Sequence, residues 1–231
     1  MTRFHVLTLF PAMFHNFLSE SIPFIAQEKN QLEVNLIDFR EFSENKHKQV
    51  DDYPYGGGAG MVIKPEPLAG AIEYVLDGRE NVPIIYFTPQ GRLLNQKIVR
   101  EYLQCPEVMI ICGHYKEIDH RIRQKYVTDE ISIGDYVLSG GELPAMVFID
   151  AVSRLLDDVI NDLESALTDS HENGLLGYPC YTRPYEFQGM TVPEVLYSGH
   201  HKNIERWRME KSLEITQKVR PDLLRDINNC S

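Results

Sequence analysis

Short apolar runs recur along the chain as FHVLTLF (4 to 10), LEVNLIDF (32 to 39), VPIIYFT (82 to 88), EVMIICG (107 to 113) and DEISI (129 to 133). Amphipathic stretches such as LAGAIEYVL (68 to 76) and NQKIVREYL (95 to 103) lie between several of them. This alternation of strand-like and helix-like periods predicts βα units. VPIIYF and VMIIC are almost continuously apolar, as expected of parallel strands covered by helices on both faces. Residues 1 to 160 therefore read as one α/β domain with a parallel sheet.

The pattern then changes. DDVINDLESALTDSHEN (157 to 173) is acidic with weak periodicity, and GLLGYPCYTRPYEFQGMTVP (174 to 193) is too rich in Gly and Pro for long regular elements. HHKNIERWRMEKSLEITQKV (200 to 219) has helical propensity and stops before Pro221, and PDLLRDI after it reads as a short helix. Residues 161 to 172 are thus expected to be a flexible linker, and 173 to 231 a small, mainly helical domain.

Glycines and prolines fall at particular places. IIYFT is followed by PQG (89 to 91), VMIIC by GHY (113 to 115), and EISI by GDYVLSGG (134 to 141). Ligands of parallel sheets sit outside the carboxyl ends of the strands, so three such loops predict one shared pocket lined by backbone. A dinucleotide fingerprint is excluded, because the first strand runs into PAMFHNF without a glycine, and no G-x-x-x-x-G-K-[ST] loop exists for phosphates.

Composition narrows the picture further. With 23 Lys plus Arg against 34 Asp plus Glu the formal charge is −11, so any nucleic acid must be held by a local basic patch. Four cysteines without a C-x-x-C pair favour reduced thiols and a cytoplasmic location, and argue against zinc. No signal peptide or membrane-length apolar run is present in the sequence, so no membrane partner is expected.

IGDYVLSGGELPAM, with DDYPYGGGAGMV upstream, CGHYKEIDHR between, and GLLGYPCYTRP and ERWR downstream, resembles the bacterial tRNA (guanine-N1)-methyltransferase family of the SPOUT superfamily over essentially the whole chain. The resemblance implies S-adenosylmethionine-dependent methylation of N1 of guanosine 37, 3′ to the tRNA anticodon. It also implies a deep trefoil knot and a homodimer with active sites at the subunit interface. The cofactor pocket it implies comprises Tyr86, Pro89, Gly113, Tyr115, Ile133, Gly134, Asp135, Tyr136, Val137, Leu138, Gly140, Gly141 and Pro144, with the glycines letting peptide groups reach the adenine edge. Two departures stand out. The family usually has Glu then Gly after the second-loop tyrosine, where this chain has Lys116 and Glu117, and Ala59 replaces a proline in the glycine-rich motif.

Guanine N1 carries a proton at neutral pH, so the reaction needs a base and a cation for the charge that builds on O6. The resemblance assigns these roles to Asp169 and Arg154, with Asp169 and the cofactor bed on different subunits. Taken alone, Asp169 would read as a cap or turn residue beside Thr168 and Ser170, and Arg154 as an ion-paired helix residue near Asp150, Asp157 and Asp158. Lys46, His47 and Lys48, Arg183, and Arg208 and Lys211 are the candidate RNA contacts. Adjacent His200 and His201 diverge by about 100° on a helix and do not suit a metal. Magnesium has been associated with the family, but no carboxylate cage in this sequence indicates it.

Overall fold

The computed structural model describes residues 1 to 160 and 169 to 224. The expected linker falls mostly on 161 to 168, outside the described residues, as does the end of the expected PDLLRDI helix, of which 221 to 224 are helical. The chain divides into two compact units, Met1–Asn161 and Asp162–Ser231.

The first unit is built on strands β1 (Thr2–Thr8), β2 (Leu32–Asp38), β5 (Ile84–Leu93), β6 (Glu107–Ile111) and β8 (Asp129–Ser132). They form one sheet in the order β2-β1-β6-β5-β8, with every pairing parallel. Val108, Met109, Ile110 and Ile111 of β6 are all fully buried, because helices cover both faces of the sheet. A second, three-stranded sheet joins β3 (Asp51–Asp52), β4 (Val62–Ile63) and β7 (Glu117–Ile118).

Helices α1 (His15–Leu18) and α2 (Ser21–Glu28) separate β1 from β2. Helix α3 (Pro65–Leu76) buries Leu68, Ala71, Ile72 and Val75, a stripe at the three- and four-residue spacing of a helix face. Proline at its first position and Asp77 in the left-handed conformation at its end set its limits. Helix α4 (Gln96–Leu103) starts where the Asn95 side chain accepts from the Ile98 N–H at 3.1 Å. Helix α5 (His120–Tyr126) precedes β8, and α6 (Glu142–Ser153) follows it. Phe148 of α6 makes edge-on contacts with Phe4, Phe87 and Tyr102, at centroid distances of 6.0, 5.9 and 5.3 Å, tying α6 to β1, β5 and α4.

The PQG segment reads as a turn that ends a strand, but β5 continues through it to Leu93. Phe87 and Arg92 both face Ile131, so residues 88 to 91 arch out and return to the same partner strand. Arg92 closes the arch: its Nη2 donates to Asp129 Oδ2 at 2.6 Å and Glu101 Oε2 at 3.0 Å, while the Tyr102 hydroxyl donates to the same Asp129 oxygen at 2.7 Å.

The second unit contains a short hairpin, β9 (Glu186–Phe187) with β10 (Met190–Thr191), and the long helix α7 (His201–Val219). The irregular chain before the hairpin packs along α7. The Leu176 N–H donates to Thr216 Oγ1 at 2.9 Å, Tyr181 stacks near Trp207, and the Arg208 guanidinium lies 4.9 Å from the Tyr178 ring centre.

Candidate functional site

Strands β6, β5 and β8 are neighbours in the sheet, and the chain leaving β6 and β8, together with the arch inside β5, borders one cleft of about 740 Å³, counting the space open to solvent. The β5 arch contributes Tyr86 and Pro89. The turn after β6 gives Gly113 and Tyr115. The loop after β8 gives Ile133, Gly134, Tyr136, Val137, Leu138, Gly140 and Gly141, and α6 adds Pro144. Of the pocket residues expected from sequence, Asp135 alone lies elsewhere. It is exposed, at the middle of a three-residue turn closed by the Tyr136 N–H on the Gly134 carbonyl (3.0 Å).

Phe87, Thr88, His114, Lys116, Glu117, Ile131, Ser132 and Ser139 also line the cleft. His114 and Ser139 lie within the three glycine- and proline-marked segments, and the other six flank them, so their signal is position along the chain and not residue type.

At Gly141 and Gly91 the chain packs closely on its own backbone. A Cβ at Gly141 would lie 2.7 Å from Cys112 Cα, and one at Gly91 would lie 2.4 Å from the peptide between Glu130 and Ile131. The chain itself occupies the space, since the loop after β8 lies back on the end of β6. The Gly141 N–H donates to the Gly113 carbonyl at 2.8 Å, and His114 bridges to Gly140.

At the base of the cleft Glu117 is held from two sides. Its Oε1 accepts from the Tyr86 hydroxyl, and Arg123 Nη1 stands 3.2 Å from its Oε2. Arg123 in turn forks onto Glu130 at 2.8 and 2.7 Å. Burial, then the Glu117 carboxylate, pushes the Tyr86 phenol well above its usual value, so it stays a donor. The hydrogen bonds from Arg123 hold the Glu130 carboxyl below the ordinary range. Tyr115 has a φ of 60°, a left-handed conformation costly for a bulky residue. Among the described residues, the only buried side-chain polar atom without a partner is His114 Nδ1.

Arg154 caps the end of α6, its N–H donating to the Asp150 carbonyl at 3.1 Å, and it does not line the cleft. It stands a full helix, about 18 Å of rise, beyond the glycines at the start of α6. Asp169 belongs to the second unit, half-buried in a turn where its carbonyl accepts from the Glu172 N–H at 3.4 Å. Lys46 and His47 sit in an exposed turn, and Lys48 pairs with Glu41. Arg183 is exposed. Arg208 stacks on Tyr178, and Lys211 pairs with Glu214 at 2.6 Å. Among the described residues no cluster of three or more His, Cys, Asp or Glu could hold a metal ion, and no helix is long and apolar enough to cross a membrane.

Fold and cleft together define a class: a parallel α/β protein whose main cleft is bordered by peptide turns, with no phosphate loop after its first strand. Comparison with known proteins narrows it. Residues 2–226 match the family described as tRNA (Guanine-1)-methyltransferase TrmD. The chain is 54% identical over 222 residues to a tRNA (guanine-N(1)-)-methyltransferase of Geobacillus kaustophilus, covering 96% of this chain and 91% of the relative. It is 49% identical over 228 residues to the Clostridioides difficile protein of that name, covering 98% and 99%. The crystal structure of a tRNA (m1G37) methyltransferase from Aquifex aeolicus is similar with a TM-score of 0.78 at 44% identity, over 97% of this chain and 95% of that one. This chain belongs to the tRNA (guanine-N1)-methyltransferase family.

Proposed function

We propose that the protein methylates N1 of guanosine 37 in tRNA, 3′ to the anticodon, with S-adenosylmethionine as donor. The observation that carries this reading is the cleft itself, formed by the loops after β6 and β8 and the arch in β5, three adjacent strands, in a chain of this family. Its contents suit a nucleoside-like ligand. Peptide turns and the apolar Ile133 and Leu138 border it, and the buried, unpartnered His114 Nδ1 can meet a polar edge. When bound, S-adenosylmethionine supplies the methyl group, its S–CH3 bond breaking as N1–CH3 forms and S-adenosylhomocysteine leaving.

The protein's own residues manage position and protons. The cleft holds the donor. The Asp169 carboxylate takes the N1 proton, and the Arg154 guanidinium offsets the negative charge that develops on O6. Because Arg154 lies at the opposite end of α6 from the cleft, one chain's cation is remote from its own donor site. A composite site at the interface of a homodimer, with base and cleft from different subunits, removes that difficulty. Exposed Phe10, Met13, Val137, Leu138 and Leu143 border a groove beside the cleft and suit such an interface.

In this reading residues 1 to 160 form the S-adenosylmethionine-binding domain, and 173 to 231 carry tRNA in the cytoplasm. Arg183, Arg208 and Lys211, with Lys46, His47 and Lys48 of the first domain, face the phosphates. A trefoil knot belongs to the same proposal, and the arch at 88 to 91 and the seating of Gly141 on Cys112 are consistent with it. The test is Asp169→Asn: methyl transfer to unmodified tRNA is expected to fall at least about a hundredfold, with binding of S-adenosylhomocysteine retained. Normal turnover by this variant removes Asp169 as the base.

A further inference from the structure

We infer that Lys116 is a specificity-determining cation of the donor site, which recognises the carboxylate at the amino-acid end of the bound donor. The inference rests on the S-adenosylmethionine reading above and adds which end of that ligand this chain reads by charge.

Lys116 is the one Lys or Arg among the described residues that line the cleft. Glu117 is the one acidic side chain there, and it is already committed, accepting from the Tyr86 hydroxyl and facing Arg123 at 3.2 Å. Arg123 is nearly buried, with 9% of its side chain exposed, so this pairing is built into the domain and is not a loose surface contact. A ligand cation would have to compete with Arg123 for Glu117. Lys116, by contrast, is exposed, and no carboxylate among the described residues pairs with it. The uncommitted charge of the cleft is therefore positive, and it matches the carboxylate of an amino-acid tail rather than its ammonium.

Position favours the same partner. Lys116 follows Tyr115, whose φ of 60° bends the chain sharply at the end of the second loop, and its N–H donates to the Met61 carbonyl at 3.0 Å. Its aliphatic stem lies along Gly60, where an added Cβ would meet the Lys116 Cβ at 3.4 Å. The backbone and stem are thus fixed at the rim, leaving the ammonium free to engage a ligand. An RNA phosphate is the competing partner, but it gives Lys116 no reason to line the donor cleft.

The experiment crosses two proteins with two ligands. Calorimetry measures S-adenosylhomocysteine, which carries the amino-acid tail, and 5′-methylthioadenosine, which lacks it, on the wild-type protein and on Lys116→Met, with Lys116→Arg as a charge-retaining control. Lys116→Met is expected to weaken S-adenosylhomocysteine by about fivefold and to leave 5′-methylthioadenosine within about twofold, while Lys116→Arg recovers most of the loss. Equal weakening of both ligands, no weakening of either, or a loss confined to tRNA binding overturns the assignment. If the wild-type protein binds neither ligand, the S-adenosylmethionine reading itself fails, an outcome distinct from an indifferent Lys116 in a protein that binds both.

Discussion

Substituting Gly141 by alanine tests how the cleft is made. Gly141 has φ −83° and ψ −3°, a conformation alanine adopts easily, so the change carries no backbone strain. It should even stabilise by about 0.4–1 kcal/mol through the unfolded chain. Against this, the new methyl would stand 2.7 Å from Cys112 Cα and 3.0 Å from the Gly113 nitrogen, and both are main chain that no rotamer can move. Ordinary contact begins near 3.4 Å, so the two loops must part by about 0.7 Å. Overpacking of this kind costs about 1–3 kcal/mol, which leaves a net loss of about 1–2 kcal/mol and a fall in Tm of about 2–8 °C for a chain of this size. The parting loops are two of the three cleft walls. S-adenosylhomocysteine affinity is therefore expected to drop more than the stability does, by about tenfold or more. Differential scanning fluorimetry and calorimetry on the same preparation measure both. An unchanged Tm together with an unchanged Kd would refute the claim that self-packing of the chain shapes the cleft.

Three further outcomes follow from the contacts described. Arg123→Met leaves Glu117 and Glu130 facing each other without their cation, and should cost about 3 kcal/mol, read as a loss of about 10 °C in Tm. The Glu130 carboxyl is held below its unfolded value of 4.5, so its stabilising contribution is complete above that value and disappears as pH falls through the lower folded value. Tm should accordingly hold steady from about pH 7 to about pH 5 and decline below about pH 4.5, with a shallower decline in Glu130→Gln. Arg208→Ala should raise the KM for tRNA about threefold and reduce the salt dependence of tRNA binding by about one unit of slope, with S-adenosylhomocysteine binding unchanged. Loss of cofactor binding in that variant would mean the helix carrying Arg208 serves the first domain instead.

The strands β1, β2, β6 and β8 and the helix α7 were legible because each carries its own period or a continuous apolar run within one or two residues of its true limits. The cleft was legible for a related reason, as glycines and prolines mark the loops after β6 and β8 and the arch in β5 that surround it. Other features had no local signal. The paired segments β3, β4 and β7 are two residues each, too short for any periodicity. The segment AMVFIDAV lacks a polar face that would mark it as part of α6, since Ala145, Phe148, Ile149 and Val152 are all buried. Pro89 and Gly91 imitate a terminating turn, and only the repeated pairing of Ile131 with Phe87 and Arg92 reveals an arch. The glycines at 91 and 141 point to close approach, but the sequence does not say to what. The answer is another stretch of the same chain, a long-range fact that no local window contains.

A cleft walled by peptide turns has a consequence for anything designed to block it. Side chains can be exchanged by single mutations, whereas amide and carbonyl groups stay wherever the fold survives. A competitive inhibitor anchored on the main chain of residues 133 to 141 would give the cell few single-step routes to resistance, while one that relied on the exposed Lys116 side chain would risk easy escape.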